Sequence, residues 1–409
     1  MKIGIIREGK IPPDSRVPLA PEQCAEIIRD YPVDVVVEPF PGRCFPDEQY
    51  SKLGIPLSDN LSGRDILMGV KEVPVQQLIP NKTYFFFSHT IKEQAHNRGL
   101  LRAILDKNIR LIDYEVLTDE HGRRLIAFGR FAGMVGAHNG IMAYGRRTGQ
   151  YSLRRMKDCL DYAEATRVYR HLQLPPMKVV LTGSGRVGQG AARVLKDMGI
   201  RQASPESFLE ETFAEPVFTQ LECKHYAARK DGGPFSTRDF YKHPERYKSI
   251  FAPYYRVADV MINGIYWDKK APAFFTREEM RREDFNIQVI ADVTCDIAPD
   301  ASIPSTLRAS TIDEPVYGYD PETETETAPY QPRSVDVMAI DNLPNELPRD
   351  ASQAFGRQFI AHVLPELLKE NSPMIERATI AENGHLGPRF QYLEGYVRGE
   401  KASEGVREE

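Results

Sequence analysis

Residues 178–199 read Lys-Val-Val-Leu-Thr-Gly-Ser-Gly-Arg-Val-Gly-Gln-Gly-Ala-Ala-Arg-Val-Leu-Lys-Asp-Met-Gly. Val179, Val180 and Leu181 form a short apolar run of the kind buried on both faces of a parallel sheet. Gly183, Gly185 and Gly188 follow in G-x-G-x-x-G spacing. Ala191, Ala192, Val194 and Leu195 then recur with a helical period, and Gly199 is placed to end the helix. Each glycine of the motif has a physical task. Gly183 makes the tight turn, Gly185 lets backbone approach a pyrophosphate, and Gly188 lets the helix pack on the strand. The helix start offers unpaired N–H groups and the positive end of a dipole to phosphate. A strand, turn and helix in this order predict a dinucleotide site; the alternative is a glycine-rich turn that binds nothing.

A chain of 409 residues is long enough for two domains, and an apolar fraction of 41% supports a full core in each. The net charge of −5 excludes the basic footprint that nucleic acid requires. Cys24, Cys44, Cys159, Cys223 and Cys295 are scattered and contain no C-x-x-C pair. That argues against a zinc site or a disulfide framework and fits a reducing compartment; no metal is expected. Met1-Lys2 runs straight into an apolar stretch without a secretory signal pattern. No apolar run approaches the roughly 18 residues of a membrane helix. The expectation is a cytoplasmic protein without a membrane partner.

Before the motif, apolar runs at 2–7, 33–37, 65–71, 83–89 and 110–114 predict strands. Helical patterns at 21–31 and 93–107 alternate with them, which argues a doubly wound parallel sheet. Residues 8–20 form a Pro-rich loop carrying Lys10, Asp14 and Arg16. A further strand is predicted at 124–128, and long helices over 130–147 and 158–172. Beyond the motif, 257–265, 288–294 and 335–340 read as strands, while 201–250 is rich in turn formers and charges and resists assignment. Residues 320–328 (Asp-Pro-Glu-Thr-Glu-Thr-Glu-Thr-Ala) read as a solvated acidic loop. Residues 354–369 predict a helix that returns the chain to its first domain, interrupted near its end by Pro365.

Two apolar runs end in ionisable residues: Lys71 after 66–70, and His89 after 84–87. In an open α/β sheet the ligand crevice lies beyond the carboxyl ends of the strands, so both residues are expected there. A lysine in a partly dry crevice loses basicity and can serve as a base, and histidine titrates near neutrality. Arg7, Lys10, Arg16, Arg123 and Arg124 lie near strand ends, and arginine grips carboxylates bidentately. Arg16, in the loop after the first strand, stands out among them. Glu72 and Glu115 are candidates for a substrate ammonium. Taken singly, Lys71, the glutamates and the basic residues other than Arg16 read better as solvated surface groups, and His89 reads equally well as a helix-capping or core-edge histidine; the paired placement of Lys71 and His89 favours the site.

Several segments resemble the saccharopine-forming enzymes, nearly end to end. Those similar to lysine–2-oxoglutarate reductase domains are 81–92 (Asn-Lys-Thr-Tyr-Phe-Phe-Phe-Ser-His-Thr-Ile-Lys), 109–115 (Ile-Arg-Leu-Ile-Asp-Tyr-Glu), 128–133, 242–251, 262–267 (Ile-Asn-Gly-Ile-Tyr-Trp), 340–344 (Ile-Asp-Asn-Leu-Pro) and the tail Asn383-Gly-His-Leu. Monofunctional saccharopine dehydrogenases are similar at Gly69-Val-Lys-Glu, His89, Gly122-Arg-Arg and Asp341. The wider family includes alanine dehydrogenase and the transhydrogenase N-terminal domain. The resemblance implies two Rossmann-like doubly wound α/β domains with the active site in the cleft between them. The substrate domain would be 1–130 completed by 345–409, and the dinucleotide domain 131–344.

By the same resemblance Lys71 and His89 are catalytic, and Arg16, Glu72, Glu115, Arg124 and Asp341 bind substrate. Gly183, Gly185, Arg186, Val187, Gly188, Glu206 and Ile265 would hold the cofactor. The implied reaction condenses lysine's ε-amine with 2-oxoglutarate and reduces the imine with NAD(P)H to saccharopine, or runs in reverse. Lys71 and His89 would carry protons through carbinolamine, imine and secondary amine. The alternatives are an alanine dehydrogenase-like or other opine dehydrogenase, and a non-catalytic protein that senses NAD(P)H or an amino acid. No saccharopine dehydrogenase domain follows, so a monofunctional enzyme is expected. Val187 and Gly264 stand where the fungal enzymes carry cysteines, so no regulatory disulfide is expected there. Glu206 lies at about the distance of a ribose-binding acid but follows Pro205. Arg201 favours a 2′-phosphate, and the reductase resemblance tilts the expectation to NADPH.

Overall fold

The computed structural model describes residues 1–400, in two units: Met1–Ala127 with the segment from Pro348, and Phe128–Leu347. The second unit is thus inserted into the chain of the first. Each unit has its own mixed α/β sheet of Rossmann-like character.

In the first unit the apolar runs form β1 (Lys2–Ile5), β2 (Asp34–Val37), β3 (Ile66–Met68), β4 (Thr83–Phe86) and β5 (Arg110–Asp113), with α1 (Pro21–Asp30) and α2 (Arg98–Asp106) between them. Pro21 opens α1, where its missing N–H costs nothing. The five strands are parallel in the order β2-β1-β3-β4-β5. Thr379–Glu382 adds an antiparallel strand on β5, and His385–Leu386 pairs beyond it. Ile3, Ile5, Leu67, Met68, Phe85 and Phe86 are fully buried, as a sheet covered on both faces demands. After β1 the chain leaves to one side for β2; β3 then falls on the other side of β1. This reversal puts the switch point, where ligands bind in such sheets, between β1 and β3.

Three expectations for this unit change. Residues 124–128 form no strand: Arg124 makes an isolated bridge to Thr118, and a helix starts at Gly129. The helix expected from 93 starts only at Arg98, because Glu93 has a positive φ of 54° that breaks the path. The later helix runs as Pro348–Gln358, then a π-helical turn Phe359–Val363, then Leu364–Leu367. Pro365 has no N–H for the carbonyl one turn back, so the ladder widens before it, not at the end.

In the second unit α3 (Gly129–Thr148) and α4 (Tyr162–Tyr169) precede β6 (Lys178–Thr182), α5 (Arg186–Asp197), β7 (Arg201–Gln202), α6 (Pro205–Glu210) and β8 (Val217–Leu221). The ribbon β9 (Ala227–Arg229) and β10 (Tyr247–Ser249) follows, then β11 (Val260–Asn263), β12 (Val289–Asp292), β13 (Tyr317–Asp320), β14 (Thr325–Thr327) and β15 (Val335–Met338). The eight-stranded sheet has the order β14-β13-β15-β12-β11-β6-β8-β7. The strand after α5 therefore lands at the edge, and β8 takes the place beside β6. Residues 320–328, expected to be a loop, form the antiparallel hairpin β13–β14.

Helices α3 and α5 cross at glycines. A Cβ on Gly133 would stand 1.9 Å from the Val187 carbonyl oxygen, and one on Gly190 2.0 Å from that of Arg130. The small residues at the start of α3 allow this crossing, which seats α5 and its N-terminus on the sheet.

Candidate active site

At the first switch point stands Glu8, three residues past β1 and 8% exposed. Its Oε1 accepts the Val70 N–H at 2.6 Å and its Oε2 the Lys71 N–H at 2.9 Å. Burial, reinforced by nearby Asp14, pushes the Glu8 carboxyl up to about 8 despite these two donors. The clamp fixes the peptide that carries Lys71. Burial lowers the Lys71 pKa, and the Arg16 and Lys10 charges lower it further. Its Nζ has no hydrogen-bond partner among the described residues.

Beside Lys71, Glu72 joins Lys10 and His89. Lys10 Nζ donates to Glu72 Oε2 at 2.9 Å, and His89 Nδ1 lies 2.5 Å from Glu72 Oε1. Burial raises the Glu72 carboxyl, but the bonds from His89 and Lys10 win and hold it at about 2. An ionised carboxylate only accepts, so the imidazole proton sits on Nδ1 and Nε2 is left to exchange one with a ligand. His89 itself has a left-handed φ of 53°, and its ring stacks on Phe87 at 6.5 Å. Asp113, at the end of β5, anchors this turn: Ser88 donates to it through N–H and Oγ at 2.8 and 2.6 Å.

Glu115 follows on the same carboxyl edge. Its Oε1 lies 3.8 Å from Lys92 and 3.6 Å from Arg124, while its Oε2 is buried without a hydrogen-bond partner among the described residues. That orphaned oxygen is suited to a ligand cation. Arg124 donates to the Ile126 carbonyl at 3.0 Å and lies over the Phe87 ring at 5.4 Å.

The arginines do not form the cluster that was expected. Arg16 is buried and grips Asp14 bidentately at 2.9 and 2.6 Å, so that edge of its guanidinium is already used within the protein. Arg7 pairs with Glu38 and Asp59, and Arg123 with Asp119. Glu72, expected to hold a substrate ammonium, has both oxygens engaged by Lys10 and His89. Asp341 lies in the second unit, exposed, three residues past β15 and near Cys295.

In the second unit the three motif glycines differ physically. Gly183 has φ +95°, and a Cβ there would stand 2.5 Å from the Gly264 carbonyl oxygen. A Cβ on Gly188 would stand 2.0 Å from the Gly183 carbonyl oxygen. A Cβ on Gly185, the N-cap of α5, would meet nothing. Two glycines serve the fold, and the third leaves open the space a phosphate needs. Arg186 is exposed in the first turn, Val187 packs under Gly264, and Ile265 lines the hollow in front of the turn. Below it, Thr182 Oγ1 donates to Asn263 Oδ1 (2.8 Å), and Asn263 Nδ2 to Asp292 Oδ1 (2.9 Å). These buried bonds tie together the ends of β6, β11 and β12.

Glu206 sits on the first turn of α6, beyond the edge strand β7, and does not line this hollow. Glu222 does. It is the first residue after β8, beside β6, where a ribose-binding acid belongs. Sequence reading missed it because the strand after α5 was taken as β6's neighbour; the signal was the acid closing the later apolar run 217–221.

Residues 4–135 match the family model described as alanine dehydrogenase/PNT, N-terminal domain. The chain is 29% identical over 433 residues to the mitochondrial α-aminoadipic semialdehyde synthase of Bos taurus, covering 93% of this chain and 46% of that protein. It thus spans about half the length of that relative. It is also 29% identical over 381 residues to a saccharopine dehydrogenase [NAD(+), L-lysine-forming] of Neurospora crassa, covering 89% of this chain and 91% of that protein. Among solved structures, an L-alanine dehydrogenase superposes with a TM-score of 0.65 at 16% identity, covering 97% of this chain and all of that one. This last likeness establishes the two-domain α/β fold.

Within the matched residues 4–135, Lys71, Glu72, His89 and Arg16 gather at the ends of β1, β3 and β4, with Glu115 and Arg124 past β5. Glu8 and Asp113 support them, and sequence reading had not singled out either. Among the described residues no helix is long and apolar enough to cross a membrane, and no group of three His, Cys, Asp or Glu is placed to hold a metal.

Proposed function

We propose that the chain is an NAD(P)-dependent oxidoreductase of the saccharopine dehydrogenase type, joining the ε-amine of lysine to 2-oxoglutarate, or releasing both from saccharopine. The observation that carries this reading is the Lys71–Glu72–His89 arrangement: a half-buried lysine of lowered basicity beside a histidine held with Nε2 available. Forming an imine from an amine and a ketone moves two protons from nitrogen to the oxygen, which leaves as water, and hydride reduction of the imine then adds one proton at nitrogen. Lys71 and His89 are the two groups able to move these protons. The buried Glu115 oxygen offers a carboxylate to the substrate's free ammonium. The names of the relatives, over nearly the whole chain, support the same chemistry.

The fit for a dinucleotide rests on the open space at Gly185, the α5 N-terminus and Glu222. When bound, a reduced nicotinamide supplies the hydride. Glu222 supports NADH, not the NADPH first expected: a carboxylate accepts from a ribose 2′-hydroxyl and repels a 2′-phosphate. Arg201, the residue that favoured NADPH, pairs with Glu215 at 2.6 Å on the edge strand.

The test is nucleotide oxidation with lysine and 2-oxoglutarate, run with each reduced nucleotide. Turnover is expected, with at least about tenfold higher kcat/KM for NADH. Turnover of pyruvate and ammonia alone would replace this reading with an alanine dehydrogenase.

A further inference from the structure

Asp113 is fully buried at the carboxyl end of β5, and its two oxygens serve two different turns. Oδ2 accepts the Ser88 N–H at 2.8 Å and the Ser88 Oγ–H at 2.6 Å. Oδ1 accepts the Glu115 N–H at 2.7 Å. Burial raises the pKa of this carboxyl, and the bonds from Ser88 and Glu115 oppose the rise. The Glu115 bond alone would be an ordinary cap of the short turn Tyr114–Val116. The Ser88 bonds are not local: they join residues 25 apart in the chain, one position before His89.

Around His89 the bonds form a bracket. The Ser88 Oγ gives its proton to Asp113, so its lone pairs face Thr90, whose N lies at 3.2 Å and whose Oγ1 lies at 2.8 Å. Ser88 and Thr90 are both fully buried. His89 stands between them with a φ of 53°, a conformation that a residue with a Cβ keeps only where its surroundings over-determine it. Its side chain meets Glu72, while its backbone is tied to Asp113 through Ser88.

One carboxylate thus spans two groups that the proposed reaction uses at opposite ends of the amine: His89 at the reacting nitrogen and Glu115 at the free ammonium. In lysine a fixed run of carbons separates these two nitrogens. A rigid span between His89 and Glu115 therefore measures the length of that run, whereas a loosely held pair would accept a shorter amine as readily.

We propose that Asp113 is a positioning residue that holds His89 and Glu115 at a fixed separation and so selects the chain length of a diamino-acid substrate. Closed to solvent, it acts through these two residues and not on substrate. The proposal rests on the reading of the first unit as the site of saccharopine-type chemistry.

Asp113→Asn keeps an oxygen for the two Ser88 donors but turns its NH2 on the Glu115 N–H. It should raise the lysine KM about three- to tenfold and leave kcat within a few-fold. It should also shrink the preference for lysine over ornithine, one methylene shorter, which in the parent should be at least about tenfold in kcat/KM. Ser88→Ala removes one donor and should lower kcat about 10- to 100-fold. In a His89→Gln background the same change should lower kcat no further, because Ser88 acts only through His89. Both variants are close to isosteric and should keep the parent's circular dichroism, with assays run well below each melting midpoint. A merely structural Asp113 would leave the lysine-to-ornithine ratio unchanged in Asp113→Asn, and Ser88→Ala would then lower kcat by the same factor with and without His89; either result overturns the proposal. A parent that uses lysine and ornithine equally well overturns it too, while the reaction stands. A parent that turns over neither amine with 2-oxoglutarate overturns the saccharopine-type reading, and the positioning role with it.

Discussion

Lys71 is flanked by two glutamates in opposite states. Glu72, held at about 2 by its bonds to His89 and Lys10, keeps its charge at any working pH. Glu8, pushed up to about 8 by burial, is largely protonated at neutrality. The sign of the consequence follows from proton counting. Between about pH 4.5 and 8 the folded state keeps a Glu8 proton that the unfolded chain has lost, so stability falls as pH rises through that window. In Glu8→Gln, which cannot ionise, the fall of Tm over this range should be visibly shallower than in the parent; an unchanged slope would show that Glu8 does not titrate there. The proton-transfer groups give a second prediction. Lys71→Met and His89→Gln should each lower kcat by about 100- to 10,000-fold while NADH affinity, measured by titration, stays put. If kcat holds within a few-fold and only KM rises, both residues merely bind substrate. Lys71 and His89 were legible from sequence because each closes an apolar run. Glu8 was not: its partners Val70 and Lys71 lie more than 60 residues on, and only the β1–β3 pairing brings them together.

At the scale of elements, the strand–turn–helix at β6 and α5 separates fold from function within one motif. A Cβ on Gly188 would collide with the Gly183 carbonyl, so Gly188→Ala should cost about 1–3 kcal/mol of stability, read as a lowered denaturation midpoint. Gly185 has φ −74° and open space around a Cβ, so Gly185→Val should fold with nearly the parent's midpoint yet bind NADH at least about tenfold more weakly. Equal NADH affinity in a folded Gly185→Val would leave the turn with a structural role only. This element was readable because its signals are local: apolar run, glycine spacing, helical period. The hairpin β13–β14 was not. Its Thr-Glu alternation suits an edge strand with charged residues facing solvent, but the acidity alone reads as loop. Residues 124–128 misled in the other direction. Ile126 is fully buried, yet the segment is pinned by Arg124 and Leu125 to 117–118 rather than joining a sheet.

For the whole molecule, the chain path matters most. The second unit, Phe128–Leu347, interrupts the first, which the chain completes only after Pro348. The returning helix was foreseen from its own periodicity, whereas the edge-strand place of Thr379–Glu382 on β5 depends on pairing across more than 260 residues. Because the glycine turn and Glu222 belong to the inserted unit, nucleotide binding should stabilise that unit by linkage. At about 100 times Kd the gain is about 2.7 kcal/mol. Calorimetry with saturating NADH should therefore show an upward shift of the melting transition. Lys71→Met, whose change lies in the other unit and touches no cofactor group, should keep that shift in full. Gly185→Val should lose it, and Glu222→Gln should reduce the NADH shift while enlarging the one produced by NADPH, since removing the carboxylate removes its repulsion of a 2′-phosphate. A Lys71→Met protein that no longer responds to NADH would mean that the binding of nucleotide and the proton-transfer site are not separable in this way, and the division of labour assigned to the two units would fall.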